Sequence, residues 1–505
     1  MSETHQSEIA HQHRAKVIGV SVAAAVGGFL FGFDSSVVNG AVDSIQDTFG
    51  LGSLFTGFAV AIALLGCALG AWFAGRLADV WGRKRVMLLG SVLFVVSAIG
   101  TSLVVTVWDL LLWRVLGGIG IGIASVIAPA YIAEIAPARF RGALASMQQL
   151  AITLGIFAAL LSDALLADSA GAASDDLWWG LEAWRWMFLV GVVPAVVYGV
   201  IALLIPESPR YLVGRNRDEE AARILQEVTG EVAPLDRVRE IKLTVRRESS
   251  ASIHDIRGPV FGLHPLVWVG IWLAVFQQFV GINAIFYYST TLWQSVGFSE
   301  SASFKTSVIT AVINVVMTFV AILFVDRIGR RKLLLIGSVG MFIGLLMACV
   351  AFTQSTYKQS GSVGDVLCEA GNTTKECLTL DDPWGVLALI GANLFVVAFA
   401  ATWGPVMWVM LGEMFPNSIR GVALGVCTAV NWIANFTISM LFPTASEQLG
   451  LGWVYGFFAV CAALSFLFVH RRVQETKGLE LEEMDAVAAS RLEANEAVRI
   501  AKLGQ

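Results

Sequence analysis

Gly75-Arg76-Leu77-Ala78-Asp79-Val80-Trp81-Gly82-Arg83-Lys84-Arg85 returns in the second half of the chain as Phe324-Val325-Asp326-Arg327-Ile328-Gly329-Arg330-Arg331-Lys332. Each copy lies between two long apolar segments. A tight charged turn of Asp, Gly and a basic pair, placed alike in both halves, marks a duplicated membrane bundle. Two similar bundles around a central cavity are how secondary transporters are built. A second motif repeats in register with the first. Glu134-Ile135-Ala136-Pro137, followed by Arg141-Gly142, matches Glu413-Met414-Phe415-Pro416, followed by Arg420-Gly421.

Composition points the same way. Of 505 residues, 56% are hydrophobic and only 14% are charged, against about a quarter charged in a soluble protein. The apolar residues fall into about twelve runs, starting near Val17, Leu54, Val86, Leu110, Gly142, Trp186, Pro265, Phe304, Leu333, Trp384, Gly421 and Gly452. Runs of about 20 residues cross a bilayer. The expected fold is an all-α polytopic membrane protein of two six-helix halves. Its expected parts are a tail at 1–16, a bundle at 17–205, a helical linker at 206–264, a second bundle at 265–470 and a tail at 471–505.

The formal charge of -5 matters less than where the charges sit. Basic residues crowd one set of loops, at Arg83 to Arg85, Arg139 and Arg141, Arg210 to Arg257, Arg327 to Lys332, Arg420, Arg471 and Arg472. The alternate loops are nearly bare of them, and Ala167 to Ala183 carries only acids. The positive-inside rule then places both termini and the linker in the cytoplasm. Because these clusters sit at span ends, they argue for a lipid bilayer and against nucleic acid as the partner. The first apolar run, with no small-residue cleavage site after it, is expected to be a retained span rather than a signal peptide. His5, His11 and His13 read as part of a polar tail, not as a metal site, and nothing calls for a cofactor. Cys67, Cys349, Cys427 and Cys461 lie in apolar runs and read as packing residues. Cys368 and Cys377 share an exterior loop, where either a disulfide or two free thiols would be compatible with the spacing.

Charges at the span ends suggest a gate. Arg83, Arg141, Arg330, Arg331 and Arg420 come within reach of Glu134, Glu413, Asp79 and Asp326. Ion pairs between the two halves would hold the inner side shut and open it when broken. The alternative is that these charges only fix turns and orientation. Asp34 differs, because it lies inside the first span, in Phe29-Leu30-Phe31-Gly32-Phe33-Asp34. An acid at that depth is costly and by default functional. Arg114, near the start of the fourth span, is the expected cation. If the halves rock, Arg114 would approach and withdraw, so that Asp34 releases and takes a proton; a static pair is the alternative. One charge crossing with the field gains about 2.3 kcal/mol per 100 mV, enough for roughly fifty-fold accumulation of a neutral solute.

Several spans also carry amides: Gln148 and Gln149, Gln277, Gln278 and Asn283, Asn314, Asn431 and Asn435. Tyr287, Tyr288, Trp403, Trp408 and Trp432 accompany them. Amides donate and accept without charge, which suits a ligand made of hydroxyl groups. Indole rings offer a flat face to sugar C–H surfaces plus one donor. Any single amide can serve interhelical bonding alone; the whole set reads as a polyol site. Gly117, Gly118, Gly120 and Gly122 read as close helix packing.

Gln277-Gln278-Phe279-Val280-Gly281-Ile282-Asn283, followed by Phe286-Tyr287-Tyr288-Ser289, resembles the seventh span of the sugar porters of the major facilitator superfamily. So do Pro206-Glu207-Ser208-Pro209-Arg210 and Trp403-Gly404-Pro405 with Trp408, and the likeness runs from about Lys16 to Gly478. It is closest to bacterial glucose permeases of the proton-symport kind. The resemblance implies a monosaccharide held mainly by the C-terminal half, through Gln149, Gln277, Gln278, Asn283, Asn314, Trp408, Asn431 and Asn435. Asp34 falls where proton-coupled members carry Asp and passive facilitators carry Asn, which implies symport. Ala400 departs from the Glu of those facilitators, and Val473-Gln474 replaces the usual Pro before Glu475-Thr476-Lys477-Gly478.

The expected activity is monosaccharide:proton symport by alternating access in the bacterial cytoplasmic membrane, with D-glucose as substrate and a monomer as the working unit. Rival readings are a passive uniporter, a symporter of xylose, galactose or myo-inositol, and a non-transporting sugar sensor. A sensor would need a longer signalling tail. No nucleotide loop, metal cluster or catalytic triad supports an enzyme.

Overall fold

Among the described residues of the computed structural model, twelve helices are long and apolar enough to span a membrane. The described residues are 3–135, 141–231, 233–248, 256–258, 261–358, 377–380, 383–415 and 419–477. Within them, the side chains of 3–18, 133, 141–146, 229, 244–248, 326, 356–358, 377–379, 420 and 421 lie outside the description. The first six spans are Gly19–Gly40, Ser53–Trp81, Arg83–Ser102, Val107–Ile132, Met147–Ala170 and Ala183–Leu204. The last six are Pro265–Ser295, Glu300–Val325, Arg330–Thr353, Trp384–Met414, Val422–Leu449 and Leu451–Arg472. Between the sets, helices Pro209–Gly214, Asp218–Ile224 and Pro234–Glu248 close a small core of Leu212, Val213, Ala221, Ala222, Leu225 and Val238. The charged faces of these short helices point to water, as their amphipathic pattern requires.

The same packing recurs in mirrored form across the molecule. The second span lies along the eleventh, and the fifth along the eighth, so two symmetric seams join the halves. Leu69, Trp72, Phe73, Val316 and Phe319 are exposed on the outer surface, where lipid is their natural solvent. The repeated charged turn is built identically in both copies. Gly82 sits at φ 95° and Gly329 at φ 98°, a region side chains rarely enter. A Cβ at either would meet a glutamate oxygen, Glu207 Oε2 at 2.3 Å or Glu475 Oε2 at 2.6 Å. Glycine is therefore required twice, for the same reason.

Two spans of the C-terminal half are broken. The seventh divides into Pro265–Phe279 and Ile282–Ser295, with Gly281 at φ 85° between them, and loses helical geometry again at Tyr288 (φ -129°, ψ 17°). The tenth divides into Trp384–Ala400 and Trp403–Met414 around Thr402. Interrupted helices face their loose backbone to the interior only where a cavity or polar side chains receive it. Two hairpins add Asp176–Trp178 with Leu181–Glu182, and Thr356–Lys358 with Cys377–Thr379. Cys368 and the Cys377 side chain lie outside the described residues.

Candidate functional site

The amides of the broken seventh span meet those of the eleventh at the centre of the C-terminal half. Asn283 Nδ2 donates to Gln278 Oε1 at 2.6 Å, and Gln278 Nε2 to Asn431 Oδ1 at 3.1 Å. Asn431 Nδ2 donates to Gln277 Oε1 at 2.8 Å, while Gln277 Nε2 reaches the carbonyls of Trp403 and Gly404, each at 3.3 Å. Asn435 Nδ2 donates to the Tyr287 hydroxyl at 3.4 Å, and its Oδ1 accepts from Ser439 at 3.1 Å. Gln277, Gln278 and Asn431 of this neutral chain are buried, as is Asn435, whose set with Tyr287 and Ser439 stands apart from it. A sugar hydroxyl can replace any partner in it with little change in hydrogen-bond count, so exchange with a polyol is cheap.

Not every expected contact joins the chain. Among the described residues, Gln149, Asn314, Trp408 and Asn435 form no hydrogen bond with it. Asn314 is buried and Trp408 is 37% exposed, the only expected sugar contact that open. Trp403 serves structure, its indole donating to Leu334 O and Ser338 Oγ. Tyr288 likewise donates to Ser439 O at 2.7 Å.

In the N-terminal half the interior holds charge instead. Arg114 Nη1 meets Asp34 Oδ1 at 3.2 Å, with both side chains buried. Arg114 Nε has no hydrogen-bond partner among the described residues, and the guanidinium lies 5.6 Å from the Phe188 ring centroid. The pair borders a small cavity with Phe31, Ser35, Cys67 and Tyr287. Tyr287 thus touches the charged cavity on one side and Asn435 on the other. In the sequence, Tyr287 stood out only as an accompanying aromatic.

The repeated turns close a network at one end of the bundle, here called the motif end. Arg83 forks onto Glu134 at 2.7 and 3.0 Å and reaches Asp79 at 3.1 Å. Glu207 Oε1 accepts from the Arg83 amide at 3.0 Å, and Ser208 donates to Glu134. The second copy repeats this. Arg330 forks onto Glu413 at 2.8 and 3.1 Å, Glu475 accepts from the Arg330 and Arg331 amides, and Thr476 donates to Glu413. Each carboxylate at a helix N-terminus satisfies amides that have no partner within the helix. These pairs form within each half, not between halves as the sequence pattern suggests. Arg331 bonds a carbonyl, that of His470, at 2.8 Å. The side chains of Arg141, Asp326 and Arg420 lie outside the described residues. Glu207, Ser208, Glu475 and Thr476 were not expected as partners, although Glu207-Ser208 and Glu475-Thr476 are a third repeat.

Bonds between the halves occur at the opposite end. Asn39, in the turn Val38–Gly40, donates to Ser289 at 3.0 Å and accepts from the Thr290 amide at 3.1 Å. Thr290 Oγ1 returns a bond to Asn39 O at 2.6 Å, and Thr291 donates to Asp43 at 2.9 Å. Glu300 accepts from the Ala173 amide at 2.8 Å. Ser289 to Thr291 directly follow the distortion at Tyr288, so the loosened end of the seventh span is the piece held. Burial raises the pKa of Asp43 to about 6, against the Thr291 hydrogen bond and with help from Asp47 and Glu300.

Two mirrored six-helix halves, joined at one end and framing a polar centre, define a membrane transporter rather than an enzyme. The family model for "Sugar (and other) transporter" matches residues 20–488, and the chain belongs to that family. It is 50% identical to a glucose transport protein of Synechocystis over 93% of this chain and 97% of that one. It is 34% identical to an arabinose-proton symporter of Bacillus subtilis over 93% of this chain and 94% of that one. Among solved structures, the partially occluded inward-open xylose transporter XylE of E. coli superposes with a TM-score of 0.77 at 31% identity, covering 92% of this chain and 100% of that one.

Proposed function

We propose that the chain is a monosaccharide:proton symporter, with D-glucose as its substrate, working as a monomer by alternating access. The lobes that tilt are residues 17–205 and 265–470; the linker 206–264 and the tails 1–16 and 471–505 lie in the cytoplasm. The motif end, with its basic loops, faces the cytoplasm of a bacterial cell. Relatives named for glucose and for arabinose-proton transport support a sugar substrate and a proton partner.

One observation carries the coupling. Tyr287 lines the Asp34–Arg114 cavity and accepts from Asn435, itself an assigned sugar contact on the same span as Asn431. A change of charge on Asp34 is therefore felt one residue away from the sugar contacts. When Asp34 takes a proton, Arg114 loses its counter-charge and the pair has reason to part. Sugar bonding to the amides of Gln277, Gln278, Asn283 and Asn431 draws the C-terminal half onto the same centre. Gln149, Asn314 and Trp408 are assigned to the sugar as contacts made once it is bound. In the gate role assigned to Asp79, Arg83, Glu134, Arg330, Arg331 and Glu413, with Arg141, Asp326 and Arg420, these charges exchange partners within one half for partners across the halves when the motif end closes.

Purified protein in vesicles with an imposed inward proton gradient tests this reading. Labelled D-glucose should rise above its outside concentration and fall back when a protonophore is added. Filling only to equilibrium would leave a passive uniporter in place of a symporter. Stronger competition by unlabelled xylose, galactose or myo-inositol than by glucose would replace the substrate.

A further inference from the structure

The hydrogen bonds that join the halves opposite the motif end include two to carboxylates, Asp43 and Glu300. Asp43 lies on the short helix Val42–Phe49, just beyond the end of the first span. Its partner Thr291 belongs to the other half, on the segment of the seventh span loosened at Tyr288. In the orientation proposed above, this is the exterior mouth. We propose that Asp43 is a positioning residue of the outer gate, holding the two halves together when protonated and letting them part when ionised. The inference rests on the alternating-access reading.

The surroundings of Asp43 are one-sided. Asp47 follows it by one turn on the same helix, and Glu300 faces it from the start of the eighth span. Glu300 is itself half of a joint, since it accepts from the Ala173 amide of the opposite half. The turn Val38–Gly40, the segment Ile282–Ser295 and the near part of the second span carry no charged residue. Lys305, further along the eighth span, is exposed. Among the described residues, then, three carboxylates gather at a seam between lobes, two on one side and one on the other. Ionised together at close range they repel across that seam. A protonated Asp43 still accepts from Thr291 and carries no charge into the joint.

The sign follows from linkage. With the mouth closed, burial first, then Asp47 and Glu300, lift the Asp43 pKa to about 6, the Thr291 bond opposing them. With the mouth open, Asp43 meets water and titrates near its ordinary value of about 3.9. Closing therefore takes up a proton. Closure is favoured in acid and loses that support as pH rises through about 6. An importer driven by external protons thus shuts its outer mouth most readily when those protons are plentiful.

The test uses spin labels at Val105→Cys and Leu449→Cys, exposed positions beyond the third span and at the end of the eleventh. The full chain, its native cysteines replaced, is placed in lipid nanodiscs and the inter-label distance is read by pulsed paramagnetic resonance. In otherwise native protein, the closed-to-open ratio should fall about tenfold between about pH 5 and about pH 8. Asp43→Asn keeps a partner for Thr291 but cannot titrate, and its ratio should stay flat. Glu300→Gln should move the midpoint to lower pH. A pH-independent ratio in native protein, or an unchanged pH dependence in Asp43→Asn, would overturn the inference. Glucose counterflow by the same proteins is read separately. Its absence would unseat the transport reading, while the latch would still stand or fall on the label distances.

Discussion

Among the described residues, two arginines of the N-terminal half are buried, Arg83 at 8% and Arg114 at 3% exposure, and they are held in opposite ways. Arg83, at the motif end, forks onto Glu134, reaches Asp79 and has its own amide capped by Glu207. Arg114, at the centre, makes one 3.2 Å contact to Asp34 and leaves Nε without a partner among the described residues. Bidentate, charge-assisted pairs are the strong ones, whereas a single long bond between buried charges barely offsets their desolvation. The first arrangement fixes a turn. The second is poised to come apart, as the proposed proton exchange at Asp34 requires.

The comparison can be broken by truncation. Arg83→Ala leaves Glu134 buried without its counter-charge and should cost about 3 kcal/mol. Arg114→Ala should cost only about 1 kcal/mol, because Asp34 can take a proton instead of standing as a lone charge. Thermal unfolding in detergent reads both, and equal losses would erase the distinction. Arg330→Ala in the second copy should fall between them, at about 2 kcal/mol, since Glu413 is 32% exposed where Glu134 is 10%. The amide chain is tested through affinity rather than stability. Gln278→Ala removes one polar contact to the sugar of about 1.4 kcal/mol, so glucose affinity should drop about tenfold. Competition binding measures it, and unchanged affinity would remove Gln278 from the sugar site.

Much of this was legible in the sequence because duplication writes itself twice. The turn, the Glu134 and Glu413 motifs and the amide-rich seventh span all stood out, and with them the twelve spans and the paired halves. What sequence did not disclose was partnership. Residue types within reach at a span end do not say which half supplies the partner. Arg83 to Glu207 bridges two ends of one half, whereas Asn39 to Thr290 joins both halves. Nothing in Val38-Asn39-Gly40 marks Asn39 as a partner of the other half. The break at Gly281 was signalled by a glycine, but the one at Tyr288 has neither glycine nor proline to announce it. It exists because the residues after it are bonded elsewhere.

The proposed division has charge at work in one half of the transporter and neutral amides holding sugar in the other. Asp34→Asn tests this division most directly, through uphill accumulation and equilibrium exchange of labelled glucose in the same vesicles. Exchange should persist while accumulation under a proton gradient falls to the equilibrium level. Accumulation that survives the substitution would contradict the claim, because the proton would then be carried by some other group.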